Sequence, residues 1–322
     1  PAETAAAAPV GAASASAPQA WISRFDTPLV STAKGPLSGL RFGQHDRSRL
    51  CVRYNHWLAD QDFMDQHRPA WVLRFGAFPV TRHLQNFIGA ISETHALVEP
   101  WPRWTDPSHQ LTHVLRAEPA DACVALMAAS LAPAPDSWHR AFAAQESVAA
   151  GRAGSTHIDA LLKAIPDNTP LFVGNSLAIR QLDTASGNGP QSLGLYGNRG
   201  ASGIDGNIST AMGIAAIHGS VVVLIGDLTC QHDLGGLALA QGRNAVIVVV
   251  NNSGGGIFEH LPQRDLPEFE AGWRTPQAIS FEHAALTFGL GFACAESLEA
   301  FASHLAAAFA TDGPQLIELK LP

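Results

Sequence analysis

Two apolar runs, VVVLIG and AVIVVV, end abruptly in polar residues, the first at Gly226-Asp227 and the second at Asn251-Asn252. Asp227 and Asn252 are 25 residues apart, about one strand-helix-strand crossover, so their strands can be parallel neighbours and the two side chains can converge beyond the strand ends. One anionic carboxylate, one neutral amide oxygen and a nearby glycine carbonyl make an incomplete oxygen set for a hard cation. Magnesium suits such a set, taking its remaining ligands from phosphate oxygens and water. Gly-Asp after a strand is also an ordinary helix cap, and Asn-Asn an ordinary turn. Their pairing across one crossover, with Ser253-Gly254-Gly255-Gly256 directly behind, favours a clamp for magnesium diphosphate.

Such a clamp needs parallel strands. Both runs are continuous and rich in β-branched residues, as central strands covered on both faces are. DLGGLALAQG between them is expected to supply the crossover helix. Upstream, THIDALLKAI (156–165) reads as an amphipathic helix and LFVGN (171–175) as a buried strand with a loop at its end. ISTAMGIAAIHG, after the glycine-rich NRGASGIDG (198–206), reads as a helix packed tightly on a sheet. Downstream, SFEHAALTFGL, GFACA, ESLEAFASHLAAAFA and PQLIELKL read as helix, strand, helix, strand. The earlier part alternates similarly through CVRYNHWL, AWVLRFG, PVTRHLQNFIGAI and THALVEP.

The predicted fold class is therefore α/β, with two Rossmann-like parallel-sheet domains. The expected division is a flexible linker at 1–20, small-residue and Pro-punctuated, a central domain at 21–133 and a diphosphate-binding domain at 134–322. The Pro/Ala segment SLAPAPDSW (130–138) is the expected joint, because proline breaks both helix and central strand.

Composition bounds the rest. A chain of 322 residues suits two compact domains, and 46% hydrophobic against 15% charged residues excludes a disordered chain. A net charge of −8 with no Lys/Arg-rich stripe argues against a nucleic-acid partner. The four cysteines lack metal or disulfide spacing, which points to a reducing cytoplasm. No apolar run reaches the ~18 residues of a membrane helix, and no secretory signal pattern opens the chain.

G-D-x followed some two dozen residues later by N-N resembles the diphosphate and metal motif of thiamine diphosphate enzymes. GNSLAIR, NRGASGIDGNISTAMG, GDLTCQHDLGGLAL, VVNNSGGGIF and FEHAA together most resemble the 2-succinyl-5-enolpyruvyl-6-hydroxy-3-cyclohexene-1-carboxylate synthases of menaquinone biosynthesis. The likeness is strong over residues 155–322 and weaker over 65–115, where it rests on GAFPVTRHL and WTDPSH.

The resemblance implies a thiamine diphosphate cofactor and a Mg2+ (or Mn2+) ion held by Asp227, Asn252 and the Gly254 carbonyl. Gly226 and Leu228 would border the cofactor. Ile204 would wedge it into a bent shape, with Ile257 and Phe258 walling its rings. Arg82, Ser176, Arg180 and Arg199 would face the substrate side, where guanidiniums suit carboxylates. The implied reaction is decarboxylation of 2-oxoglutarate and addition of the four-carbon unit to isochorismate by a homo-oligomeric transferase. The family's activating glutamate lies on an N-terminal pyrimidine-binding domain that has no match here, so the chain is expected to need that domain, in cis or in trans. An acetolactate synthase-like or 2-keto acid decarboxylase enzyme, or a non-catalytic cofactor-domain subunit, are the alternatives. A nucleotide-binding dehydrogenase would need G-x-G-x-x-G after a strand, which is not found in that context. His232 and Asp233 are expected to be cap and crossover residues, and Cys230 a buried thiol.

Overall fold

The computed structural model describes residues 29–30, 50–76, 78–91, 93–102, 105–129, 135–152, 156–185 and 193–321. The expected linker at 1–20 and residues 130–134 of the expected joint lie outside the described residues. Two compact units divide the chain, one extending to Arg152 and the other beginning at Ala153.

In the first unit β1 (Leu29–Val30) and β2 (Leu50–Cys51) pair in parallel. They are followed by α1 (Gln61–Gln66), β3 (Trp71–Phe75), α2 (Arg82–Gly89), β4 (Thr94–Val98), β5 (His113–Leu115), α3 (Pro119–Ala128) and α4 (Asp136–Arg152). Strands β3, β4 and β5 form a three-stranded parallel sheet in that order. CVRYNHWL contributes only Cys51 to a strand and then turns through a 3₁₀ segment at Tyr54–His56. The unit division falls later than the Pro/Ala joint, and α4 shows why. Phe142 on α4 packs among Tyr54, Trp57, Phe63 and Phe87. The Glu146 carboxylate on the same helix accepts from Trp57 Nε1 at 2.9 Å and from the Arg53 N–H at 3.0 Å.

The second unit runs α5 (His157–Ala164), β6 (Pro170–Val173), α6 (Leu177–Ala185), β7 (Gly194–Tyr196), α7 (Asn207–His218), β8 (Ser220–Gly226) and α8 (Asp227–His232). It continues through β9 (Asn244–Asn251), α9 (Phe281–Thr287), β10 (Gly291–Ala295), α10 (Leu298–Phe309) and β11 (Gln315–Lys320). All six strands are parallel, in the order β10-β11-β9-β8-β6-β7. The continuous apolar runs become the central strands: Val221–Ile225 and Ala245–Val250 are buried throughout. Each fully buried Val or Ile side chain contributes about 1.5–3 kcal/mol by leaving water. Helix starts follow local chemistry. Thr156 and Asp159 form a reciprocal capping box at α5, and Ser280 and Ser297 cap α9 and α10.

The crossover between β8 and β9 differs from expectation. α8 is short, and Leu234–Ala240 continues as a 3₁₀ helix. The Gly235-Gly236 pair has little α-helical propensity. Gly236 also lies so near α7 that a Cβ there would meet Ser209 Oγ at 2.9 Å and Ile208 Cβ at 3.1 Å.

Candidate functional site

Strand order reverses between β6 and β8: the chain moves from β6 out to β7, then returns to the other side of β6. Ligands of open parallel sheets bind at such a point, beyond the carboxyl ends of the strands. A cleft of about 220 Å³ lies there, lined from the ends of β6, β8 and β9 and from the glycine loop after β9. It brings together nine residues singled out in the sequence: Ser176, Ile204, Gly226, Asp227, Leu228, Asn252, Gly254, Ile257 and Phe258.

Asp227 opens α8 immediately after β8 and is 7% exposed. Its Oδ2 accepts from the Gly254 N–H at 2.7 Å and its Oδ1 from the Leu228 N–H at 2.9 Å. The loop after β9 reaches Asp227 through left-handed backbone, with Ser253 at φ +62° and Gly254 at φ +121°. Asn252 Oδ1 is buried and has no hydrogen-bond partner. A buried acceptor left bare costs about 1–3 kcal/mol, so its presence asks for a ligand. Among the described residues no group of three or more His, Cys, Asp or Glu could hold a metal by itself. A cation here would use one carboxylate, amide and main-chain oxygens, and oxygens of its ligand, a set that fits magnesium.

Burial pushes the Asp227 carboxyl up, while the Gly254 and Leu228 amides and the Arg274 charge oppose that rise. A carboxyl raised above its unfolded value contributes stability below about pH 4, and that contribution is lost as pH rises through the folded value. Acidification through the range above the ordinary carboxylate value should therefore stabilise the metal-free chain through this group. The same protonation would remove the one charged oxygen donor available to a cation in this cleft and lower its affinity. Thermal scans with and without Mn2+ from about pH 7 down to 4 check this. The Mn2+-induced shift in Tm should shrink towards acid, and a pH-independent shift would contradict the assignment.

Arg180 on α6 and Arg199 after β7 do not line the cleft themselves. Arg180 donates to the Ser176 carbonyl at 2.8 Å, and Ser176 takes φ +64°. Arg199 donates to Asn175 Oδ1. Burial, and then the Arg180 charge, lower the Arg199 pKa. Among the described residues neither arginine has an ion-pair partner. Arg82 belongs to the first unit, exposed at the first position of α2.

Several site residues escaped the sequence reading. Asn175, 5% exposed at the end of β6, donates to the carbonyls of Asn198 at 3.2 Å and Gly203 at 2.6 Å, tying down the loop that carries Ile204. Its signal was available: it is a third amide or acid directly after an apolar strand. Asn251 Nδ2 donates to the buried Glu318 carboxylate at 2.7 Å while its Oδ1 accepts from the Ser253 N–H at 2.9 Å. Gln181 and Thr229 also line the cleft.

The residues after the Asp227 motif have local partners. Asp233 accepts from the Ser209 N–H at 3.0 Å, within the first turn of α7, and His232 Nε2 lies 2.6 Å from Asp205 Oδ1. Cys230 is fully buried, and burial pushes its thiol up to about 12. It is expected to resist iodoacetamide in the folded chain at pH 8 and to react on unfolding. Rapid labelling of the native protein, read by mass spectrometry, would contradict that.

A doubly wound sheet with this cleft at its switch point defines a class. Residues 184–319, within the second unit, match the C-terminal, thiamine pyrophosphate-binding domain of thiamine pyrophosphate enzymes. The chain is similar, at 64% identity over 301 residues, to 2-succinyl-5-enolpyruvyl-6-hydroxy-3-cyclohexene-1-carboxylate synthase of Dechloromonas aromatica, covering 94% of this chain and 56% of that protein. Proteins of the same name from Haloarcula marismortui and Bacillus velezensis are 36% and 33% identical, each over 88% of this chain and over 51% and 52% of their own lengths. The chain thus spans about half the length of the curated relatives it matches. Among the described residues no helix is long and apolar enough to cross a membrane.

Proposed function

We propose that the second unit holds the diphosphate of thiamine diphosphate through a magnesium or manganese ion bound by Asp227, Asn252 and the Gly254 carbonyl. The observation that carries this reading is the bare, buried Asn252 Oδ1 in the same cleft as the buried Asp227 carboxylate. A divalent cation would satisfy both. Gly226 and Leu228 border the diphosphate, Ile204 wedges the cofactor, and Ile257 and Phe258 wall its rings. The cleft volume, about 220 Å³, is below the ~300–1,000 Å³ of complete small-molecule sites and suits one part of an elongated ligand. A pyrimidine-binding domain, in cis or in trans, and a homo-oligomeric arrangement would supply the rest.

When bound, thiamine diphosphate supplies the electron sink on which a 2-oxo acid can lose carbon dioxide. The protein's part is to orient and to hold charge. Arg180 and Arg199, two guanidiniums without a carboxylate partner among the described residues, support recognition of acidic substrates, with Ser176 beside them. The name of the relatives extends this reading to a 2-succinyl-5-enolpyruvyl-6-hydroxy-3-cyclohexene-1-carboxylate synthase, and the motif resemblance makes 2-oxoglutarate and isochorismate the proposed substrates, in menaquinone biosynthesis. Arg82 is a further proposed substrate contact, and the cytoplasm the proposed location.

Calorimetric titration of thiamine diphosphate, with and without Mg2+, tests the site. Binding should tighten with Mg2+ and again when the N-terminal half of a relative is added. With that half present, 2-oxoglutarate should be consumed in preference to pyruvate. Metal-independent binding, or preference for pyruvate, would overturn the reading.

A further inference from the structure

The loop that reaches Asp227 is held from behind by a turn far along the chain. Residues Glu270–Arg274 form a single π-helical turn, closed by Thr275 at φ +44°. A β-branched residue in this left-handed region is strained, and strain of this kind persists where the surroundings hold it in place. The turn presses on the glycine loop with both main chain and side chains. The Arg274 carbonyl accepts from the Gly255 N–H at 2.7 Å, and the Arg274 guanidinium donates to the Asn252 carbonyl at 2.7 Å. Trp273 packs edge-on against Phe258, ring centroids 5.4 Å apart. Glu259 pairs with the Arg274 guanidinium, whose Nε is buried without a partner.

We infer that Arg274 is a positioning residue for the divalent-cation site: its guanidinium and carbonyl set the Asn252–Gly256 loop so that Asn252 Oδ1 and the Gly254 carbonyl face the cation, while Glu259 offsets its charge. This rests on the proposed diphosphate site and adds to it a residue that touches neither cation nor ligand. The neutralising pair matters because an unpaired guanidinium beside a cation site would repel the ion.

The test uses the full chain with Mn2+ and inorganic pyrophosphate, following free Mn2+ by electron paramagnetic resonance and folding by thermal unfolding. Arg274→Leu should weaken Mn2+ binding by roughly tenfold to 100-fold, the range seen when groups orienting metal ligands are lost. Arg274→Lys, which restores one donor, should recover part of that affinity. A purely structural role would lower Tm without the recovery by lysine tracking Mn2+ affinity. If Arg274→Leu does not fold, Glu259→Gln serves instead, with a several-fold loss of Mn2+ affinity expected. Wild-type Mn2+ affinity in a folded Arg274→Leu or Glu259→Gln variant would overturn this inference alone. Failure of the unsubstituted chain to bind Mn2+ with pyrophosphate would overturn the diphosphate site and the inference together.

Discussion

Asp227→Ala is expected to leave the chain with one and the same weak affinity for thiamine diphosphate whether or not Mg2+ is present. Asp227 is the carboxylate of the proposed cation site and is buried in its cleft. The remaining donors are neutral: an amide oxygen and a main-chain carbonyl. Residues that only orient a metal ligand are worth 10–100-fold in affinity, and loss of the charged ligand itself should cost at least ~100-fold. The substitution also removes the acceptor of the Gly254 N–H, so the glycine loop loses this tie to the start of α8. Titration calorimetry in Mg2+ and in a chelator separates the two conditions. A variant that still tightens its binding on adding Mg2+ would place the cation elsewhere.

The second large effect is structural. Gly254→Ala should both destabilise the second unit and abolish Mg2+-dependent binding. Gly254 sits at φ +121°, and a Cβ there would lie 2.1 Å from the Arg274 carbonyl oxygen. That contact is with backbone and cannot be relieved by a rotamer change. Backbone strain alone costs about 1–3 kcal/mol, which for a unit of this size lowers Tm by roughly 2–4 °C per kcal/mol. The loop must move, which takes Asn252 and the Gly254 carbonyl away from Asp227. Gly235→Ala is the matched control, because nothing lies within 4 Å of a Cβ there and its φ is not positive. Its effect should stay within about 0.5 kcal/mol. Equal Tm values for the two variants would show that the loop accommodates a side chain at Gly254.

Much of the second unit was legible in the sequence. VVVLIG and AVIVVV are uninterrupted apolar runs because β8 and β9 are covered on both faces, and each stops where the chain emerges at the carboxyl edge of the sheet. Asp227 and Asn252 were visible for the same reason. The first unit was less legible. Among the described residues its strands form a pair and a three-stranded sheet, and the packing of α4 back onto Tyr54 and Trp57 carries no local signal. The short α8 followed by a 3₁₀ turn was missed because the Gly-Gly pair that shapes it depends on close contact with α7.

The sequence by itself determined most strand and helix identities of the second unit, the polar residues at its strand ends and the glycines behind them, since hydrophobic periodicity and left-handed backbone are written in neighbouring residues. Only the tertiary structure decided that Asn252 Oδ1 is bare, that Asn175 ties the Ile204 loop, that Glu318 holds Asn251 and that Arg274 braces the glycine loop. Each of these depends on a side chain meeting a group 22 to 67 residues away along the chain, or failing to meet one, and residue type alone carries no record of such distances.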